Sequence, residues 1–321
     1  MMNNQPRSYA IIGTGALGGF YGARLHRAGM DVHFLLRSDH EHVRRHGLRV
    51  ESKDGDFVLP KVNAYGRAED IPRCDVVLVA LKTTQNHLLP TLLPPTLKED
   101  GVVLIIQNGL GMENAVAQIV GPQRVMGGLS FLCSNKVGPG HIRHLDYGGV
   151  AFAEYSPEGK PRGITDRLRA IGSDFELAGI AVELIEDLIL ARWKKLVWNI
   201  PYSGLSVVLN AMTDELMKNP TTRELVVQLM HEVVEGAAAV GRAIPESFVA
   251  KMLADTEKMP PYRTSMKIDY ENRRPMEVES IFGNPVRVAK SAGAELPRIE
   301  MLYRELKFLD DRNADAASSR I

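Results

Sequence analysis

The sequence has few of the features that mark secreted, membrane-embedded or nucleic-acid-binding proteins. Its 321 residues contain two cysteines, Cys74 and Cys133, and no CxxC pair, so we expect neither a disulfide framework nor a cysteine zinc site. No apolar run approaches the ~20 residues of a membrane-spanning helix. Lysine plus arginine equals aspartate plus glutamate, 39 against 39, which excludes a strong overall attraction to nucleic acid or to an anionic membrane.

The first residues of the sequence do not have the pattern of a signal peptide. Residues Met1 to Ser8 are polar and lack the charged start and apolar centre of a signal peptide. Together with the low cysteine content, this predicts a cytoplasmic protein. We expect its partners to be small molecules, with no nucleic acid and no membrane, and a homodimer is left open.

The distribution of apolar residues predicts two domains of different class. In residues 1–186, short apolar runs alternate with helical patterns, which is typical of βαβ units and of a Rossmann-type doubly wound α/β sheet. Residues 130–154 alternate in polarity and predict antiparallel strands at the sheet edge. Residues 187–321 have long helical patterns and predict an all-helical domain. The main expected strands are Tyr9–Ile12, Val32–Leu36, Val76–Ala80 and Val102–Ile106, and the expected later helices are Leu188–Asn199, Arg223–Gly241, Glu246–Lys258 and Glu300–Leu309.

A glycine-rich turn follows the first predicted strand and opens a helical pattern. It has the GxGxxG arrangement of dinucleotide-binding sites and reads Gly13-Thr14-Gly15-Ala16-Leu17-Gly18. Gly13 permits the tight turn, Gly15 lets the backbone approach a pyrophosphate, and Gly18 allows close helix–strand packing. Amide groups at the helix start then attract the phosphates. All six residues are therefore candidate cofactor contacts.

The end of the second predicted strand indicates which dinucleotide binds. NAD sites carry an acidic residue there, which holds the ribose 2′-hydroxyl. This chain has Arg37 followed by Ser38, and arginine can hold a 2′-phosphate through charge-assisted hydrogen bonds. We therefore predict that residues 1–186 bind NADPH. Lys82 and Asn108 each follow a later predicted strand, where parallel sheets bind ligands, and are two further candidate cofactor contacts.

Other motifs extend along most of the chain. They are Leu81-Lys82-Thr83, Asn108-Gly109-Leu110-Gly111, the helical segment Trp193–Asn199, and Ser265-Met266 with Glu277 twelve residues after Ser265. With the glycine-rich turn, these five separated motifs resemble, in order, those of the ketopantoate reductases (2-dehydropantoate 2-reductases). The resemblance implies a Rossmann domain followed by a helical domain that completes the active site.

The resemblance also implies an activity. It implies the NADPH-dependent reduction of a small 2-keto acid, 2-dehydropantoate to pantoate in pantothenate biosynthesis, with Lys195 as general acid and with Asn199, Ser265 and Glu277 as substrate contacts. A lysine suits this role because its ammonium can protonate a developing alkoxide and stabilise its charge. Lys195 and Asn199 are four residues apart in a predicted helix and share a face. Glu277 is expected in the first turn of a new helix.

The chain departs from the family pattern after this helix motif. Ser203 and Thr213 stand where the family has asparagines, and Pro201 should kink or end the helix. Ser203 is kept as a candidate substrate contact. Since both side chains are shorter than asparagine, we expect weak activity on 2-dehydropantoate and a preference for a keto acid with a bulkier distal group.

Two alternatives stay open on the sequence alone. A β-hydroxyacid dehydrogenase has the same two-domain layout, but the spacing of Ser265 and Glu277 disfavours it. A protein that binds NADPH as a signal, with little turnover, would explain Ser203 and Thr213 but would leave Lys195 unexplained.

Overall fold

The computed structural model describes residues 6–318, so all but the last three residues of the polar start Met1 to Ser8 lie outside the described residues. Contacts divide the chain into two compact units. The first comprises the chain up to Gln107 together with Met112–Leu188, and the second comprises Asn108–Gly111 and the chain from Ile189. Within residues 6–318, no helix combines the length and apolar character needed to cross a membrane, and no three or more His, Cys, Asp or Glu side chains group to hold a metal ion.

The first unit is built on one ten-stranded sheet. Strands β1 to β10 are, in chain order, Ser8–Ile12, Asp31–Leu35, Leu48–Ser52, Phe57–Leu59, Asn63–Tyr65, Cys74–Val79, Leu97–Ile105, Val125–Gly138, His141–Glu154 and Val182–Ile185. The spatial order is β4-β3-β9-β8-β7-β6-β1-β2-β5, and β10 also pairs with β9. All neighbours from β8 to β5 are parallel, which confirms the predicted α/β class.

The antiparallel pair β8–β9 forms where it was predicted, but the expectation that it lies at the sheet edge was wrong. One side of β9 pairs with β8, and the other side pairs with β3 near His141 and with β10 near Val150. The strand at that edge is β4. Alternating polarity reports which face of a strand is buried, and it carries no information about backbone pairing along the strand's sides.

Among residues 6–188, α-helices accompany the sheet. Helices α1 to α5 are Ala16–Arg27, His40–His46, Leu89–Thr96, Met112–Val120 and Asp166–Leu177. Helix α1 lies very close to the sheet because it is rich in glycine. A Cβ on Gly22 would lie 2.5 Å from the Phe34 ring, and one on Gly19 would lie 2.8 Å from the Ile142 side chain. This close packing fixes the start of α1 relative to the strand ends.

The regular elements described in the second unit are helical. Helices α6 to α12 are Leu188–Val208, Thr213–Lys218, Pro220–Ala239, Glu246–Lys258, Ser265–Glu271, Asn284–Ser291 and Pro297–Ser318, and a π-helix covers Glu279–Gly283. This confirms the predicted helical carboxyl-terminal region.

Helix α6 is longer than predicted. It continues past the expected end at Asn199 and through Pro201 to Val208, so of the two predicted effects of the proline, a kink or an end, the end does not occur. A proline inside a helix costs ~3 kcal/mol. The flanking residues Val197, Ile200 and Leu205 are all buried in the core of the unit. Each such side chain contributes ~1.5–3 kcal/mol, which outweighs that cost.

Candidate active site

The glycine-rich turn is tightly packed at two positions and open at a third. Gly13 has a φ of +102°, and a Cβ on it would lie 2.6 Å from the backbone nitrogen of Leu81. A Cβ on Gly18 would lie 2.3 Å from the carbonyl oxygen of Gly13. Around Gly15, by contrast, no atom of the described residues other than its two chain neighbours lies within 4 Å of the Cβ position. The turn is thus closed where the helix meets the sheet and open where a pyrophosphate would approach.

Helix α1 begins at this turn. Gly15 is the N-cap residue, Ala16 is the first helical residue, and Leu17 packs against the core. The buried Thr14 donates a hydrogen bond from Oγ1 to the Leu35 carbonyl at 2.9 Å, which joins the turn to the end of β2. Gly15 offers no capping side chain and the first turn of α1 has no acidic residue. The positive end of the helix dipole is therefore available to an anion.

Arg37 and Ser38 follow β2 and are both exposed. The next residue, Asp39, is buried, and its carboxylate accepts a hydrogen bond from the Gly140 amide at 3.0 Å and pairs with Lys136 at 2.7 Å. Burial raises the pKa of the Asp39 carboxyl, but Lys136 and the Gly140 amide outweigh burial and lower it overall. The loop is thus anchored next to Arg37, and the Arg37 side chain is left accessible.

Lys82 is exposed and precedes a short 3-10 helix, Thr83–Leu88. Sequence reasoning missed the residue that fixes this backbone, which is Gln107. The Nε2 group of Gln107 donates to the Leu81 carbonyl at 2.9 Å and to Asn86 Oδ1 at 2.6 Å. The signal available in the sequence was that Gln107 is a polar residue directly after the apolar run Val102–Ile106.

Asn108 groups by its contacts with the second unit, whereas Lys82 belongs to the first. Gly109 has a φ of +103°, and a Cβ on it would lie 2.3 Å from the Ser280 carbonyl oxygen. The Leu110 amide donates to that same oxygen at 2.9 Å. The segment Asn108–Gly111 therefore lies directly on the π-helix.

Lys195 has the most perturbed environment among the predicted site residues. It lies half-buried in α6, one turn after the buried Arg192. Desolvation of its ammonium lowers the pKa of Lys195, the Arg192 cation lowers it further, and the Glu277 carboxylate raises it, which leaves it at about 7 against an ordinary 10.5. A lysine with a pKa near neutrality is well matched to proton donation at physiological pH.

The face of α6 that carries Lys195 also carries the half-buried Asn199 and the buried Ser203, each one turn further along. The Ser203 carbonyl accepts a hydrogen bond from Ser206 Oγ at 3.1 Å, and Ser206 Oγ lies 2.8 Å from Thr264 Oγ1. Thr264 caps helix α10, since its hydroxyl accepts from the Lys267 amide at 3.2 Å. This network ties α6 to the start of α10, where the exposed Ser265 is the first residue.

Glu277 is buried and directly precedes the helical segment that starts at Val278. It therefore lies one residue before the first turn in which it was expected. Its carbonyl accepts hydrogen bonds from the Ile281 amide at 3.2 Å and from Ser280 Oγ at 3.3 Å. The turn that follows is the π-helix, a form frequent at functional sites.

Thr213 forms two hydrogen bonds with the backbone of its own unit. It is buried, its hydroxyl accepts from the Tyr262 amide at 3.2 Å, and its own amide donates to the Tyr262 carbonyl at 3.2 Å. The Thr213 hydroxyl is thus already paired within its own unit.

Comparisons with known proteins agree on one family. The profile of Ketopantoate reductase PanE/ApbA matches residues 9–157, and the profile of the PanE/ApbA C terminal matches residues 187–310. The chain belongs to the ketopantoate reductase family. A relative from Nostoc sp., named 2-dehydropantoate 2-reductase, is 63% identical over 307 residues, which cover 96% of this chain and 96% of the relative.

Solved structures of the family agree with this assignment. The crystal structure of 2-dehydropantoate 2-reductase from Geobacter metallireducens GS-15 is 42% identical, with a TM-score of 0.90 over 94% of this chain and 99% of that one. A structure described as a dimeric ketopantoate reductase from Staphylococcus aureus is 22% identical, with a TM-score of 0.79 over 95% of this chain and 99% of that one, and shows likeness of fold alone.

Membership of the ketopantoate reductase family makes the chain an oxidoreductase that uses a nicotinamide cofactor. It supports neither a β-hydroxyacid dehydrogenase nor a cofactor sensor. The residues that sequence reasoning missed, Arg192, Thr264 and Gln107, act on their neighbours through charge or hydrogen bonds. Such effects depend on three-dimensional proximity, so their positions in the sequence did not single them out.

Proposed function

We propose that this chain reduces 2-dehydropantoate to pantoate, with Lys195 as the general acid. The observation that carries this proposal is the environment of Lys195, where desolvation and Arg192 bring the pKa to about 7 while Glu277 opposes them. The relative that is 63% identical bears the name of this activity.

Each residue's task follows from the chemistry of ketone reduction. The nicotinamide cofactor supplies a hydride to the carbonyl carbon. Lys195 donates a proton from Nζ to the carbonyl oxygen, and its positive charge stabilises that oxygen as negative charge develops. Asn199 and Ser203, on the same face of α6, and Ser265 and Glu277 bind and orient the keto acid.

We further propose NADPH as the cofactor. The open space at Gly15 and the uncapped start of α1 suit a pyrophosphate, and a Cβ at Gly15 would intrude on that space. Arg37 and Ser38 are exposed after β2, where they can hold a 2′-phosphate. The nearby acid, Asp39, is occupied by Lys136 and the Gly140 amide and does not replace the ribose-binding acid of NAD sites.

In this proposal residues 1–186 form the NADP-binding domain and residues 187–321 form the substrate and catalytic domain. Lys82 and Asn108 contact the cofactor. The protein acts on its small keto acid as a homodimer. Sedimentation equilibrium tests the assembly, and a single species near 35.5 kDa, the mass of one chain, would contradict the dimer.

The activity is tested by following NADPH consumption with 2-dehydropantoate. Lys195→Ala should lower kcat by ~10²–10⁴-fold, the usual contribution of general acid catalysis, while NADPH binding persists. Lys194→Ala is the matched control, because the Lys194 ammonium lies 5.5 Å from the centre of the Phe248 ring and should leave kcat nearly unchanged. A wild-type protein without turnover contradicts the proposal, and an active Lys195→Ala enzyme shifts the role of acid to Lys82.

A further inference from the structure

The segment Asn108–Gly111 is held by two hydrogen bonds on opposite sides of one residue, Leu110. The Leu110 amide donates to the Ser280 carbonyl at 2.9 Å. The Leu110 carbonyl accepts from Nδ2 of Asn284 at 2.6 Å. Ser280 lies in the π-helix and Asn284 is the first residue of α11, so both bonds bind the segment to one short stretch of helical backbone.

The Asn284 side chain is itself oriented by a chain of polar groups. Its Oδ1 accepts from Arg287 at 2.7 Å, and the same guanidinium nitrogen donates to Glu279 at 2.9 Å. Tyr303 donates to the other oxygen of Glu279 at 2.8 Å. Arg287 can only donate, so it fixes the amide of Asn284 with its oxygen toward Arg287 and its NH2 group toward Leu110. These polar side chains thus determine that Asn284 donates a hydrogen bond to the segment.

Asn108, at the start of the segment, has a side-chain oxygen suited to a ligand. Its Oδ1 is buried and accepts no hydrogen bond from the residues that the structure describes. A buried polar atom in this state costs free energy unless a ligand or water satisfies it. The carboxamide of a nicotinamide has an NH2 donor of the required kind.

We propose that Asn284 is a positioning residue. It holds Leu110 so that Asn108 presents its amide to the nicotinamide, next to the helix start that Glu277 directly precedes. This rests on the proposed function, because Asn108 and Glu277 act there as cofactor and substrate contacts. Asn284 touches neither ligand. It acts through the backbone of Leu110, and Arg287 acts through Asn284.

The test compares Asn284→Asp with Asn272→Asp. Aspartate keeps the size of Asn284 and its acceptor for Arg287, but it loses the donor to Leu110. Asn272 is a matched control, since its Nδ2 also donates to a backbone carbonyl, that of Ile268, at 2.7 Å, on an exposed helix end of the same unit. We expect Asn284→Asp to weaken NADPH binding and lower kcat by ~3–10-fold each, the contribution of one hydrogen bond, with a smaller change in KM for the keto acid. Asn272→Asp should change neither.

Fluorescence titration with NADPH needs no keto acid, so it tests the positioning even if 2-dehydropantoate is not the substrate. Arg287→Met gives an independent check, because it leaves Leu110 bonded but frees the Asn284 amide to rotate, and it should weaken NADPH binding in the same direction by less. The proposal is overturned if Asn284→Asp binds NADPH as tightly as Asn272→Asp. It is also overturned if the losses follow only the fraction of protein that is unfolded, measured by thermal melting.

Discussion

A Cβ on Gly109 would lie 2.3 Å from the carbonyl oxygen of Ser280. The two residues are distant in sequence, yet the backbone of one rests on the backbone of the other. Gly109 thus permits both the left-handed turn, with φ at +103°, and the hydrogen bond from Leu110 to Ser280. The motif Asn108-Gly109-Leu110-Gly111 is therefore explained by its fit to the π-helix.

Replacement of Gly109 should be more costly than replacement of a glycine with the same backbone but free space. Gly241 has a φ of +75°, and apart from its two chain neighbours no atom of the described residues lies within 4 Å of its Cβ position. Gly241→Ala should lower the free energy of unfolding by ~1–2 kcal/mol, the cost of the left-handed conformation. Gly109→Ala adds ~1–3 kcal/mol for the clash. Urea denaturation measures both, and equal losses would contradict the close approach to Ser280.

The glycine-rich turn predicts opposite outcomes for two of its residues. Gly15→Ala should fold with near wild-type stability, because its Cβ position is open, but the added methyl group should weaken NADPH binding at least tenfold. Gly18→Ala should unfold at lower temperature, because its Cβ would lie 2.3 Å from the Gly13 carbonyl oxygen. Thermal melting and cofactor titration separate the two effects. Normal NADPH affinity in Gly15→Ala would argue against the pyrophosphate site.

The lowered pKa of Lys195 predicts how activity depends on pH. If the protonated lysine is the proposed acid, kcat/KM for reduction should be highest below pH ~7 and should fall as pH rises through the pKa of about 7. Glu277 raises that pKa, so Glu277→Gln should move the fall to lower pH. Glu300, a half-buried acid that pairs with Arg304, provides the control, and Glu300→Gln should leave the profile in place. A shift to higher pH in Glu277→Gln would contradict the assignment.

Arg37 should determine cofactor preference. Arg37→Asp removes the group proposed to hold the 2′-phosphate and adds a repelling charge, so NADPH affinity should fall by at least tenfold while NADH affinity is kept. Arg45→Asp makes the same change of charge on the exposed face of α2, where Arg45 lies 3.4 Å from Glu41, and should affect neither cofactor. Equal affinities of the wild-type protein for the two cofactors would end the argument for NADPH.

Ser203 and Thr213 should behave differently when each is replaced by asparagine. Ser203→Asn should raise the ratio of kcat/KM for 2-dehydropantoate to kcat/KM for a keto acid with a bulkier distal group by ~10-fold. The longer asparagine side chain can hydrogen-bond the substrate hydroxyl, and it also fills space that a bulkier group would need. Thr213→Asn should not change this ratio and should lower stability, because the Thr213 hydroxyl is bonded to the Tyr262 amide. Steady-state kinetics on the two substrates distinguish these outcomes. An unchanged ratio in Ser203→Asn would remove Ser203 from the substrate contacts.

Helix α6 shows where residue patterns predict well and where they fail. The helical periodicity around Lys195 located the helix and placed Lys195 and Asn199 on one face. The same patterns placed the helix end at Asn199 and predicted a kink or an end at Pro201, because local propensity counts the lost hydrogen bond and does not include the burial of Val197, Ile200 and Leu205. Tertiary packing supplied the larger free energy, and the helix continues to Val208.

By itself the sequence determined the features that depend on neighbours along the chain. Continuous apolar runs specify buried parallel strands, and the glycine-rich turn together with Arg37 predicts a dinucleotide site that prefers NADPH. Only the tertiary structure decided that Asn108–Gly111 lies on the π-helix, that β9 is paired on both sides, and that Arg192 and Glu277 act on Lys195. Close backbone approach, lateral strand pairing and Coulomb interactions all depend on distance in space, and that distance exists only once the chain has folded.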